Sequence, residues 1–265
     1  MSTQIPLDQQ HLAPNPLEQE EDGMSLMEHL VELRQRLVYI GLAIIIGMGF
    51  GVFLVLGPPQ LVSYIVVTVT ARDGSNGPPT QGLTSTEVFT SYMVVALTVG
   101  VILAMPVIVY QIIAFISPGL LPNEKRYLFR ALPFVSLFFL AGVAFSWYII
   151  APTAVQFLLD FGDPDLIDQR PALSSLIETV TRLLLISGIV FEMPVVIYIL
   201  AALGLVKAQT LASYRRYAMV AIIIIAAIIT PTGDPINLML LAIPMYLLYE
   251  FGILLARIAP KPKAA

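Results

Sequence analysis

Five stretches of the chain stay apolar long enough to cross a bilayer. They are residues 37–56, 88–110, 131–151, 183–203 and 236–256, against the roughly 20 apolar residues that a hydrocarbon core requires. A sixth, 217–230, is apolar but short; at about 1.5 Å per residue it reaches roughly 21 Å of a core about 30 Å thick. Only the turn 231–235 (PTGDP) separates it from the next run, which predicts an antiparallel hairpin. The pattern is that of an all-α integral membrane protein with six transmembrane helices and a short last hairpin. It divides the chain into a polar, acidic tail (1–23) expected to be disordered, a six-span membrane domain (24–258) and a basic tail (259–265). Ahead of the first run, SLMEHLVELRQR (25–36) repeats Leu26, Leu30, Leu33 and Leu37 at helical spacing, predicting an amphipathic helix lying at the membrane surface. Ser25 and Glu28 have the spacing of a capping box. Between the first two runs, LVSYIVVTVT is rich in β-branched residues and reads as β-prone, and a turn-rich tip follows it. Residues 160–171 read as an acidic loop.

Six spans put both ends of the chain on one side, and charge says which. That side carries Arg34, Arg36, Lys125, Arg126, Arg130, Lys207, Arg215, Arg216, Arg257, Lys261 and Lys263; the other carries only Arg72, Arg170 and Arg182. An 11 to 3 split of the 14 basic residues makes both termini cytoplasmic by the positive-inside rule. The chain is expected in the cytoplasmic (inner) cell membrane.

Composition then narrows the chemistry. The chain is 57% hydrophobic and 12% charged, with no cysteine and two histidines. Thiol chemistry, disulfides and a histidine metal site are excluded, and no cofactor is implied. No basic face with interleaved aromatics suggests nucleic acid. An HExxH motif, a P-loop, a deep aspartate pair and an intramembrane Ser–His pair are all missing, so the expectation is a protein that is not an enzyme.

A few polar residues interrupt the pattern. Glu192 is the one formal charge in 183–203, where a carboxylate costs roughly 2.5–3.5 kcal/mol on insertion scales. It precedes Pro194, and Pro106, Pro133 and Pro244 mark other spans. These prolines predict bent helices enclosing a concave face, with Glu192 on its water-reachable side. Glu32 forms an i,i+4 pair with Arg36, as ordinary surface pairing would also have it. Glu124 lies in the first turn of the helix opening after 117–121, where the helix dipole alone would favour an acid. At the hairpin tip Asp234 has the position of a helix cap, and Thr230 and Asn237 add polar atoms that a neighbouring helix could bond. Glu250 reads as structural.

Several segments together resemble the TatC family, the multi-spanning subunit of the twin-arginine (Sec-independent) protein translocase. They are HLVELRQRL (29–37), TEVFTSY (86–92), MPVIVYQIIAFISPGLLPNEKR (105–126), FEMPVVIYIL (191–200), ITPTGDP (229–235) and LLAIPMYLLYEFGILLAR (240–257), and the likeness runs over about 24–258. The resemblance implies a glove-shaped bundle with a concave face and a receptor for twin-arginine signal peptides of folded cargo. It implies that Glu32 and Glu124 bind the signal with Arg34 and Phe115, and that Glu192 is the polar residue of the concave face. It implies that the hairpin around Thr230, Asp234 and Asn237 meets single-span TatA- and TatB-type subunits, in a larger complex holding more than one copy of the chain. Ser85, Met93 and Asn237 depart from the family's usual residues. Two other functions compete: a proton-coupled small-solute transporter using Glu192, weakened because no internal repeat is visible, and an assembly scaffold without transport.

Overall fold

In hydrocarbon a chain must satisfy its backbone N–H and C=O groups internally, which leaves a helix as the solution for each apolar run. The computed structural model describes residues 26–57, 60–71, 80–119, 122–160, 170–230 and 234–259, without the side chains of residues 26, 119 and 122–124. The 1–23 tail, Ser25 of the expected capping box, Arg72, the tip of the first outer segment, most of the acidic loop and the basic tail after Ala259 lie outside the described residues. Among the described residues ten α-helices follow one another: α1 (Leu26–Leu56), α2 (Leu61–Thr70), α3 (Ser85–Ile116), α4 (Pro122–Phe145), α5 (Ala151–Asp160), α6 (Leu173–Phe191), α7 (Met193–Ala202), α8 (Ala208–Ser213), α9 (Arg215–Ile229) and α10 (Pro235–Ile258). The described residues contain no strand, only an isolated bridge between Gln81 and Ala172.

Among the described residues five spans reach membrane length: α1, α3, α4 with α5, α6 with α7, and α10. The short run is α9, 15 residues long, and it packs on α10 as the hairpin expectation requires. The third span is longer than its sequence pattern suggested, running from Lys125 to Asp160. A π-helical turn, Ser146–Ile150, joins α4 to α5 just ahead of Pro152, whose missing N–H such a turn accommodates.

Two expectations are corrected. The amphipathic segment does not lie separately at the membrane surface; it is the first part of α1, one unbroken helix of 31 residues. Nothing between Arg36 and Leu37 breaks a helix, since neither glycine nor proline occurs from Leu26 to Ile40. The β-prone stretch is α2, whose Val62, Ile65 and Val69 are buried at helical spacing. It packs against α5, and Gln156 of α5 donates to the Ala71 carbonyl at its end (3.3 Å). Burial of that face overrides the β-branched preference.

Close backbone approach explains the tightest crossing, α1 on α3. A Cβ built on Gly47 would lie 2.6 Å from the Gly100 carbonyl oxygen, and one on Gly100 would lie 2.6 Å from the Met48 nitrogen. Gly47 and Gly51 face Ala96 and Gly100, small residues four apart on both helices, the arrangement that lets membrane helices touch. Beside this crossing, Val95, Ala96, Ile150, Ala151, Val180 and Leu183 belong to the main apolar core.

The starts of α3 and α6 are tied together. Thr84 accepts the Glu87 N–H (3.1 Å) and caps α3; the Glu87 carboxylate accepts from the Leu83 N–H (2.9 Å) and from the Ser174 hydroxyl and N–H on α6. Alongside, the Gln81 N–H donates to Pro171 and the Leu173 N–H to Gln81.

Candidate functional site

On α1, His29, Glu32 and Arg36 share one face, and on α3 Gln111 and Phe115 are one turn apart; the two faces meet. The His29 and Phe115 rings stack with centroids 4.3 Å apart. Arg36 donates through Nε and Nη2 to Glu32 Oε1, the Nε bond measuring 2.9 Å, and through Nη1 to Gln111 Oε1 (3.2 Å). The Glu32 side chain is only 15% exposed. Its second oxygen, Oε2, is buried without a hydrogen-bond partner. The expected Glu32–Arg36 pair is therefore present, and it leaves a carboxylate oxygen fixed in place and unused. Such a group demands a donor, and an arginine fork supplies one with charge assistance.

The other residues expected with Glu32 are placed unequally. Phe115 is in the cluster. Arg34 is exposed and two residues along α1 from Glu32. Glu124 lies in the first turn of α4, which begins shortly after α3 ends beside His29, so its backbone is at the same end of the bundle; its side chain lies outside the described residues. Gln111 and His29 were not singled out from the sequence. A lone glutamine in the apolar run MPVIVYQIIAFI was the available signal for the first.

Glu192 occupies the break between α6 and α7. Its N–H turns to the Ile189 and Val190 carbonyls, and Pro194 at the start of α7 cannot donate to Val190. The backbone stays in the right-handed region (φ −72°, ψ −16°), so Glu192 keeps the face of Gly188, one turn earlier, which packs under the Phe139 ring of α4. This corrects the expectation of a water-reachable carboxylate. Glu192 is 7% exposed, and both its oxygens are buried without a partner. The four prolines also differ: Pro106, Pro133 and Pro244 lie inside continuous helices, and only Pro194 coincides with a break.

At the hairpin Asp234 caps α10, accepting the Asn237 N–H (2.8 Å) and its side-chain amide (2.9 Å). The Thr230 hydroxyl donates to Ala226 (2.9 Å). Thr230, Asp234 and Asn237 are all buried, so the polar atoms expected at a partner-facing surface are turned inward. The exposed side chains of the hairpin are instead apolar, including Ile224, Ile228, Ile236 and Met239. At its opposite end Arg215 grips Glu250 with two bonds (2.7 and 2.9 Å), and Tyr246 donates to the same carboxylate, which gives Glu250 the structural role read from sequence.

Comparison with known proteins agrees with this architecture. The family described as Sec-independent protein translocase protein (TatC) matches residues 28–244. Sec-independent protein translocase protein TatC of Aquifex aeolicus is 38% identical over 91% of this chain and 98% of its own length. That of Deinococcus radiodurans is 36% identical over 97% of this chain and 94% of its own. A crystal structure of the twin-arginine translocase receptor TatC in DDM superposes with a TM-score of 0.73 at 35% identity, covering 86% of this chain and 99% of that one. With the six-span pattern and the helix order already in place, these matches show that the chain belongs to the TatC family of Sec-independent protein translocase proteins.

Proposed function

We propose that this chain is the receptor subunit of a twin-arginine translocase, binding the signal peptides of folded cargo at the end of the bundle that carries Glu32 and Glu124. The observation that carries the reading is the Glu32 carboxylate, one oxygen held by Arg36 and the other buried and unpartnered. A planar guanidinium suits such an acceptor better than an ammonium does, because its fork is rigid. Two carboxylates on separate helices, α1 and α4, read a pair of arginines at a set spacing; Phe115 walls the site and Arg34 stands at its edge. The basic-residue split supports a cytoplasmic position for this site and both termini. The exposed apolar side chains of α9 and α10 form the surface for single-span partner subunits, and the buried Thr230, Asp234 and Asn237 hold that hairpin in shape. Glu192 is the polar group buried where α6 meets α7, and a threading signal or partner helix engages it only when that packing opens. Several copies of the chain act within the assembled complex, and the chain's role is binding and organisation rather than catalysis.

Binding of a twin-arginine signal peptide to the purified protein tests this reading. Glu32→Gln and Glu124→Gln should each weaken it, and a twin-lysine peptide should bind less tightly than the twin-arginine one. Wild-type affinity in both variants would overturn the assignment.

A further inference from the structure

We propose that the cavity between the ends of α7 and α10 and the start of α8 binds the phosphate of an anionic phospholipid, through Lys207 and Arg257. The cavity measures about 760 Å³, and its walls include Ala201, Gly204, Ala212 and Ala259. Its concavity has a local cause. At the end of α7 the chain reverses through Gly204 at φ 73°, with the Gly204 N–H on the Ala201 carbonyl and the Leu205 N–H on the Leu200 carbonyl (both 3.0 Å). That pairing is a glycine-terminated helix stop. The alanines around it end at Cβ and leave the volume open.

Among the described residues the lining carries two cations and no acidic residue. Among the described residues neither Lys207 nor Arg257 enters an ion pair; Glu250, the nearest acid along α10, is gripped by Arg215 and feels the Arg257 charge only at longer range. Two cations outside any ion pair, over a floor that is apolar apart from Gln209, fit an anionic oxygen group joined to something apolar. The position selects a lipid over a soluble anion. α7 completes one span and α10 is another, so the cavity lies where their ends leave the hydrocarbon. Leu205 and Ile258, each 70% exposed, adjoin the lining residues Gly204, Val206, Arg257 and Ala259 and extend an apolar surface for acyl chains. Basic pockets between helices at a membrane surface hold lipid headgroups in this way. Assignment to the cytoplasmic leaflet rests on the orientation proposed above; the binding itself depends neither on it nor on signal recognition.

Native mass spectrometry of the delipidated protein in detergent, with phosphatidylglycerol or phosphatidylcholine added, tests the site. The wild type should retain phosphatidylglycerol over phosphatidylcholine. The K207Q/R257Q double variant should lose about twentyfive-fold in phosphatidylglycerol retention, about fivefold per cation, while K207R/R257K keeps it. Ala212→Trp, which fills the cavity and leaves both charges, should lose it as well, and this variant decides the matter if the double glutamine variant loses its helicity. Equal retention of the two lipids by the wild type, or unchanged phosphatidylglycerol retention when the cavity is filled, would overturn the proposal. Displacement of the lipid by an equal concentration of inorganic phosphate would overturn the choice of a lipid.

Discussion

Arg36 holds one oxygen of Glu32 and Gln111 holds Arg36, so the second oxygen is set in place before any ligand arrives. Glu32→Ala should weaken twin-arginine peptide binding by about 1.5–3 kcal/mol, the range for hydrogen bonds to charged groups. Gln111→Leu never touches the peptide, yet it should cost about 0.5–1.5 kcal/mol by releasing the arginine that orients the carboxylate. Isothermal titration of the purified variants measures both, and unchanged affinity in the Gln111 variant would reduce Gln111 to a packing residue. Glu192 makes the opposite prediction for stability. Its oxygens are buried without partners, and replacing such a polar group by an apolar one relieves a desolvation cost of about 1–3 kcal/mol. Glu192→Leu should therefore accumulate in the membrane at least as well as the wild type and still bind signal peptide, while export of a folded reporter is lost. Reporter export at the wild-type level would make Glu192 purely structural. Residue chemistry was legible in the sequence where partners are close along the chain, as for Glu32–Arg36 and for Asp234 at the start of α10. Gln111 was not legible, because its partner Arg36 is far from it in the chain. The burial of Glu192 was not legible either, because the face it occupies is set by packing on α4.

Helices show the same division. Each apolar run became a helix, but the ends and joints depend on neighbours. α2 is helical because Val62, Ile65 and Val69 are buried against the bundle, information absent from its ten residues. The joint at Ser146–Ile150 follows from Pro152, which lies just beyond the third apolar run as read from sequence. The α1–α3 crossing leaves no room for a side chain at Gly47. Gly47→Val should destabilise the protein by about 1–3 kcal/mol through overpacking, whereas Gly49→Val, where a Cβ meets nothing within 4 Å, should be nearly neutral. Thermal unfolding in detergent separates the two, and equal melting temperatures would mean that the crossing gives way easily.

For the molecule as a whole the positive-inside count makes the strongest claim, since helices alone have no preferred direction. Cysteines placed at Ser2 and Ala265 should resist a membrane-impermeant thiol reagent in intact cells, and one at Ser75 should react; labelling at Ser2 would reverse the orientation. At the same end of the bundle α1 is longer than a bilayer core requires. At about 1.5 Å per residue its 31 residues extend about 46 Å, against a hydrocarbon slab of about 30 Å. The surplus falls on the polar first turns, which hold Glu32 as if on a mast stepped rigidly into the membrane. From Glu32 to the start of the apolar run at Leu37 the helix rises about 8 Å, a height that an extended peptide covers in two or three residues at about 3.3 Å each. Where Glu32 takes the signal as proposed above, the chain carries a ruler. A signal whose arginines stand much farther than that from its greasy segment must leave slack between them, and one whose arginines stand closer must drag its apolar end out of the lipid to reach the acid.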